Sequence, residues 1–441
     1  MKPFFKPYRH DRPPSRHVGV WSMFIVVCLV VASGLAYGFM NTLRPPRPTQ
    51  PTPAKIVTQA AGDVIGVEGE RVFTAEQSFQ TAAENYGPQT LAAKSGVRKV
   101  TFLYRSTALD GSLITVYGRA YVPTVAGRYP VFAFAPGTTG IGDQCAASLE
   151  QPKVVNWGNY DSHMIAYASQ GYVAVTTDYE GMRDGSRIHH YMVGELEGRA
   201  LLDAVRAVRK LAASKAVASD LVVLGGYSQG GHAAFWADSI AASYARDVQV
   251  AGVVGFGPVM SVKQSIGDVA YGSSLNWFGP YVLQSYGDLY ARDYNLSTIL
   301  QPRYAQTLAN DVLSHCIDTD IAYGGHNPSA VYTPAFLASV NTDTFATDYP
   351  VLAADLDKNA TGNAPTASAK LINQGRFDNV ILPRQQEAVM PGMCSSSTGP
   401  ARLKLYGATH YNTMVMSFHD TLDWMDLLRR DERPVSTCPV P

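Results

Sequence analysis

The run Leu221-Val-Val-Leu224 is followed closely by the turn Gly226-Tyr-Ser-Gln-Gly230 and then by the small-residue run Gly231-His-Ala-Ala-Phe-Trp-Ala237. A short apolar run bounded by turn residues suits a buried strand, and the alanine-rich run after it suits a helix. A G-x-S-x-G turn between a strand and a helix strains the serine backbone, so its neighbours must be small for the two elements to meet. This setting places Ser228 at the carboxyl edge of an α/β sheet. A serine in an ordinary glycine-rich turn between strand and helix is the alternative.

Other segments keep the same rhythm. Val131-Phe-Ala-Phe-Ala135, Tyr172-Val-Ala-Val-Thr176 and Val250-Ala-Gly-Val-Val254 are short apolar runs bounded by turn residues, as expected for parallel strands covered on both faces. Glu195 to Lys215 carries Leu201, Val205, Val208 and Leu211 at helical spacing and reads as an amphipathic crossover helix. Val100–Ser106 and Leu113–Val122 flank an Asp110-Gly111 turn and predict an antiparallel pair before the parallel strands. The expected fold is α/β, with a mostly parallel, doubly wound sheet. From 258 to 365 the rhythm stops while tyrosine, tryptophan and phenylalanine accumulate, which predicts an insertion over the sheet acting as a lid or cap.

Composition limits the remaining classes. The 36 basic residues balance the 36 acidic ones, which argues against an electrostatic nucleic-acid binder. Charged residues are 16% and hydrophobic ones 46% of the chain, ample for a packed core and too apolar for disorder. None of the five cysteines forms a C-x-x-C pair, so structural zinc and dithiol redox chemistry are not expected.

A serine nucleophile needs a histidine base and an acid to orient it. On this fold their chain order is serine, acid, histidine. Leu371-Ile-Asn-Gln374 reads as a strand leading into a loop with Asp378, and Leu403-Lys-Leu-Tyr406 as a strand leading into a loop with His410. A helix is expected over 412–428. Among the other late histidines, His315 and His326 fall in the insertion and His419 inside a helix, leaving His410 as base. Asp355, Asp357 and Glu387 compete with Asp378 as acid. The oxyanion donors are expected to be the N–H of Gln229, after the nucleophile, and one from the Pro136-Gly-Thr-Thr-Gly140 loop, at Thr138 or Thr139. This chemistry requires neither a metal nor an organic cofactor.

Taken together, several motifs resemble the secreted lipase family of α/β-hydrolases, the fungal lipase A type. They are Pro136-Gly-Thr-Thr-Gly140 with Asp143-Gln-Cys145, Thr177-Asp-Tyr-Glu-Gly181, Ala200-Leu-Leu-Asp-Ala-Val-Arg-Ala207, Gly226-Tyr-Ser-Gln-Gly-Gly231, Gly375-Arg-Phe-Asp378 and Gly407-Ala-Thr-His410. The similarity runs from about Ala61 to Cys438. Pro136 stands where the family usually has histidine, and Ala146-Ala-Ser148 where it has Ala-Pro-Ser. The resemblance implies an α/β-hydrolase fold, a lid between nucleophile and acid, and disulfides Cys145–Cys316 and Cys394–Cys438. It also implies a lipase or carboxylesterase acting on acylglycerols or other apolar esters. A serine peptidase or acyltransferase on the same fold is the alternative, and a non-catalytic binding module the more distant one.

The amino terminus predicts a location. Val18 to Met40 contains no charged residue, and a helix of that length rises roughly 35 Å against a bilayer core of about 30 Å. The basic tail 1–17 keeps the amino terminus cytoplasmic by the positive-inside rule. The expected organisation is a tail, a transmembrane signal anchor over 18–40, a proline-rich linker over 41–60 and an extracytoplasmic hydrolase domain over 61–441. Cleavage of the segment as a signal peptide, with secretion, is the alternative. Beyond the membrane, the expected partner is a small-molecule or lipid ester, with no nucleic acid.

Overall fold

The computed structural model describes residues 59–438 except 152–156, 213–215, 270–275 and 320–326. The expected anchor at 18–40 and nearly all of the linker lie outside the described residues. Among those described, no helix is long and apolar enough to cross a membrane.

Nine strands form one sheet in the order β1-β2-β3-β5-β4-β6-β7-β8-β9. They are β1 Val64–Phe73, β2 Val97–Thr107, β3 Leu113–Pro123, β4 Gly127–Ala135, β5 Val173–Thr177, β6 Ala216–Tyr227, β7 Val250–Phe256, β8 Ala369–Gly375 and β9 Ala401–Tyr406. From β1 through β3 to β5 the pairing is antiparallel, and from β5 onward it is parallel. The expected antiparallel pair is present, with Ser106 opposite Ile114.

Alternation along the strands builds two cores. Val131, Ala133 and Ala135 of β4 face one cluster with Val222 and Leu224 of β6; Phe132 and Phe134 face the other with Val223. Both faces need helical cover, because parallel strands apolar on each side cannot meet water. On the first face lie α3 (Gly194–Leu211) through Leu201, Val205 and Val208, and α4 (Gln229–Tyr244) through Ala233 and Phe235. On the second lie α1 (Ala75–Tyr86), α2 (Tyr160–Ser169) and a carboxyl-terminal helix, Phe418–Arg429.

The insertion is helical. It includes α5 (Val262–Val269), α6 (Phe278–Tyr290), α7 (Pro302–Ser314) and α8 (Pro350–Lys358). Its aromatics form a third cluster, with Trp277, Tyr281, Tyr286, Tyr332 and Phe336 buried together with Tyr191 and Leu196 of the main domain. After it come α9 (Pro383–Ser396) and α10, the Phe418–Arg429 helix already described. The single helix expected over 412–428 is instead a short turn, Thr413–Met416, and α10, which restarts after Ser417.

Candidate active site

β6 ends at Tyr227 and α4 begins at Gln229, so Ser228 alone turns the chain. Its φ of 55° and ψ of −115° lie outside the regions an L residue favours. Such strain persists only where the surroundings over-determine it. Here Ser228 N donates to the Phe256 carbonyl at 3.0 Å, and the Ser228 carbonyl accepts from His232 N and Val259 N, each at 3.2 Å.

Asp378 lies in the loop after β8 and His410 in the loop after β9. The Asp378 Oδ2 stands 2.8 Å from His410 Nδ1 and accepts from Gln374 Nε2 at 2.9 Å. Its Oδ1 accepts from Val380 N at 2.9 Å and Ile381 N at 2.8 Å. With its other partners all donors, this carboxylate acts as an acceptor, which puts a proton on His410 Nδ1 and leaves the Nε2 lone pair available.

Several contacts bring the two loops to the serine. The Tyr227 ring centroid lies 4.8 Å from that of His410. A Cβ built on Gly257 would fall 3.0 Å from His410 Nδ1 and 3.1 Å from Asp378 Oδ2, and Gly257 directly follows the Phe256 that holds Ser228. Serine, acid and histidine therefore converge at the carboxyl ends of β6 to β9. All three are buried.

Gln229 opens α4, so its N–H has no carbonyl one turn earlier to accept it. In the facing loop the Gly137 N–H is already used, donating to Tyr160 Oη at 2.8 Å. Thr138 and Thr139 remain as donor candidates. Tyr179 Oη donates to the Pro136 carbonyl, and the Thr138 and Tyr191 hydroxyls share a hydrogen bond, each at 2.5 Å. The Thr139 carbonyl accepts from Ile317 N at 2.9 Å, next to the Cys145–Cys316 disulfide. A second disulfide joins Cys394 and Cys438. Both pairings are those the sequence resemblance implies.

Most of the competing residues are engaged with other partners. Asp355 accepts from Tyr294 Oη and Arg292 Nε, Asp357 pairs with Lys263, and Glu387 is exposed on α9. His315 and His419 face backbone carbonyls of Asp311 and Gln89, while His326 is outside the described residues.

Two supports escaped the sequence reading. Gln374 sits on β8 four residues before Asp378, a spacing that a strand-end search could have flagged. Tyr160 is held by Glu150, whose Oε1 accepts the N–H groups of Trp157, Gly158 and Asn159 at 2.9 to 3.0 Å and whose Oε2 accepts that of Tyr160 at 2.9 Å. No local pattern signals that cradle.

Comparison with known proteins bears on the fold and the family. Lipase A of Moesziomyces aphidis is 27% identical over 226 residues, covering 49% of this chain and 44% of that one. The matched part thus spans less than half the length of that curated relative. Among solved structures, the rice cell wall degrading esterase LipA of Xanthomonas oryzae superposes with a TM-score of 0.66 at 20% identity, covering 85% of this chain and 98% of that one. Candida antarctica lipase A in its closed state gives 0.64 at 19% identity, covering 90% and 88%. At those identities the two structures establish the fold, the α/β-hydrolase-like mixed sheet expected from sequence. The model of the family described as secretory lipase matches residues 157–430, and with more than half its length so matched, the chain belongs to that family.

Proposed function

We propose that this protein is a serine carboxylic ester hydrolase, and that Ser228, His410 and Asp378 carry its chemistry. The observation that supports this most is the 2.8 Å contact of Asp378 Oδ2 with His410 Nδ1 beside a serine with φ of 55°. Ser228 Oγ attacks the ester carbonyl while His410 Nε2 takes its proton. Asp378 holds the imidazole and balances the imidazolium. The N–H of Gln229 and that of Thr138 or Thr139 receive the developing oxyanion. The imidazolium returns its proton to the leaving alcohol, an acyl-enzyme remains, and water activated by His410 releases the acid.

Secretory lipase membership favours acylglycerols or other apolar esters as substrates, and the aromatic insertion offers apolar walls. Ser228 is only 5% exposed, so its surroundings must open for a lipid ester to enter, and the insertion is read as the lid that shifts. The test is a p-nitrophenyl ester series of increasing acyl length on the protein and its Ser228→Ala variant, with peptide amides and added alcohols in parallel. Ester turnover lost only in the variant supports the reading. Dominant amide cleavage or acyl transfer would replace it with the peptidase or acyltransferase alternative.

The family description and the two disulfides favour an extracytoplasmic location. The uncharged Val18–Met40 run further supports a membrane anchor. Retention of full-length protein in membranes after alkaline carbonate washing tests it; a mature amino terminus near Tyr37 would replace anchoring with secretion.

A further inference from the structure

Behind the nucleophile lies a buried cluster of ionisable and amide groups to which the reaction above gives no role. Helices α3 and α4 cross so closely that a Cβ on Gly198 would fall 2.9 Å from Ala237 N. At this crossing the Glu197 side chain is fully enclosed. Its Oε1 accepts from Gln229 Nε2 at 2.8 Å and from Met192 N at 3.1 Å, and its Oε2 lies 2.8 Å from His232 Nδ1. His232 Nε2 donates to the Asn359 carbonyl at 2.8 Å.

The proton positions follow from these partners. His189 Nδ1 faces the Glu180 carbonyl at 3.2 Å and so donates, which leaves His189 Nε2 to accept from Gln229 Nε2 at 2.7 Å. Both amide hydrogens of Gln229 are thereby used. A flipped amide would set its oxygen against two acceptors, so only one orientation fits. The Gln229 Oε1 is left buried with no partner among the described residues.

The same cluster reaches the facing loop by two routes. Glu197 holds the Met192 N–H, and the neighbouring Tyr191 hydroxyl meets that of Thr138. The His189 ring stacks on Tyr179 at 4.9 Å, and Tyr179 Oη holds the Pro136 carbonyl. Gln229 and the 136–139 loop are the two sides between which an oxyanion would sit.

We infer that Glu197 is a positioning residue that sets the two halves of the oxyanion hole, acting through Gln229 on one side and through the 189–192 segment on the other. The inference rests on the proposed serine hydrolase reading. It concerns alignment of donors, so it predicts loss of reaction rate with substrate binding retained.

The experiment compares Glu197→Leu, Glu197→Gln and Gln229→Met with the parent protein. Measured are kcat and KM on p-nitrophenyl butyrate, the rate of Ser228 phosphonylation by a p-nitrophenyl alkylphosphonate, and the melting curve. Gln229→Met keeps the backbone N–H and the side-chain volume but cuts the tether, which makes it decisive should Glu197→Leu fail to fold. Removing one oxyanion donor typically costs 10² to 10³ in rate and loosening one costs less, so Gln229→Met should lose about tenfold, and Glu197→Leu, which frees both sides, roughly 10²-fold, in kcat and in phosphonylation with KM within about threefold. Glu197→Gln should stay within about threefold of the parent, because its amide oxygen accepts from Gln229 and Met192 while its amide nitrogen donates to His232.

A folded Gln229→Met protein reacting at the parent rate overturns the inference, as does Glu197→Gln failing as badly as Glu197→Leu. The two readings separate cleanly. Normal ester turnover in the tether variants sinks the positioning role and leaves the hydrolase. Phosphonylation that responds as expected without ester turnover sinks the hydrolase and leaves the positioning role. A parent protein whose Ser228 resists the phosphonate overturns both.

Discussion

Gly226 and Gly230 are in direct backbone contact: a Cβ built on Gly226 would fall 1.9 Å from the Gly230 carbonyl oxygen. One built on Gly230 would in turn lie 1.8 Å from the Ala135 carbonyl oxygen at the end of β4. The clashing atoms are backbone, which cannot rotate away. Gly230→Ala is therefore expected to destabilise the fold by more than ~3 kcal/mol, beyond ordinary overpacking. Gly407, where an added Cβ meets nothing within 4 Å, is the control, and Gly407→Ala should change stability by less than ~1 kcal/mol. Urea unfolding of both variants checks this.

Asp378 receives four hydrogen bonds, a pattern suited to a carboxylate and not to an amide. Asp378→Asn should orient His410 in the wrong tautomer. The expected loss is ~10³ to 10⁴ in kcat with little change in KM, by analogy with other serine triads. Steady-state kinetics on a short-chain ester measures it, and a near-parental kcat would move the acid role elsewhere.

Tyr160 accepts the Gly137 N–H at 2.8 Å. Tyr160→Phe leaves that donor buried and unpaired, which should cost ~1 to 3 kcal/mol and loosen the oxyanion loop. Activity should fall about tenfold with the fold retained, since a single loosened donor costs less than a deleted one. Circular dichroism and kcat on the same preparation report the two effects.

His163 supplies a pH dependence whose sign is fixed. It is enclosed with Tyr86 and Asn85, and burial lowers its pKa from 6.5 to about 3. The unfolded chain therefore takes up the proton first as pH falls. The stability tied to the neutral ring is complete above about pH 6.5 and is lost on acidification toward pH 3, at up to ~1.4 kcal/mol per pH unit. His163→Gln should flatten the slope of unfolding free energy between pH 6 and 4 by about one proton. Denaturant titrations across that range provide the slope.

The legible features were those with a local signature. The strand, turn and helix around Ser228 each have their own residue pattern, and the loops carrying Asp378 and His410 follow recognisable strands. β1 had no such pattern, because Glu68, Glu70 and Arg71 interrupt it and most of its side chains are exposed at a sheet edge. The helix after it does carry a local signal, the Thr74 and Gln77 capping box. The place of β5 between β3 and β4 depends on a crossover and leaves no trace in the strand itself. Glu197 and Gln229 lie far apart in sequence, so their contact exists only once α3 and α4 have packed.

The two disulfides join cysteines that are consecutive along the described chain, Cys145 with Cys316 and Cys394 with Cys438. The loops they close do not overlap. Ser228 lies within the first, His410 within the second and Asp378 in the stretch between. With Cys28 set apart inside the uncharged Val18–Met40 run, a chain oxidised as it emerges from its amino end meets each correct partner before any later cysteine competes. Pairing the four cysteines from Cys145 onward by order of appearance already yields the final connectivity, with no exchange among bridges. The order in which the chain is delivered can do the work of a disulfide-shuffling catalyst.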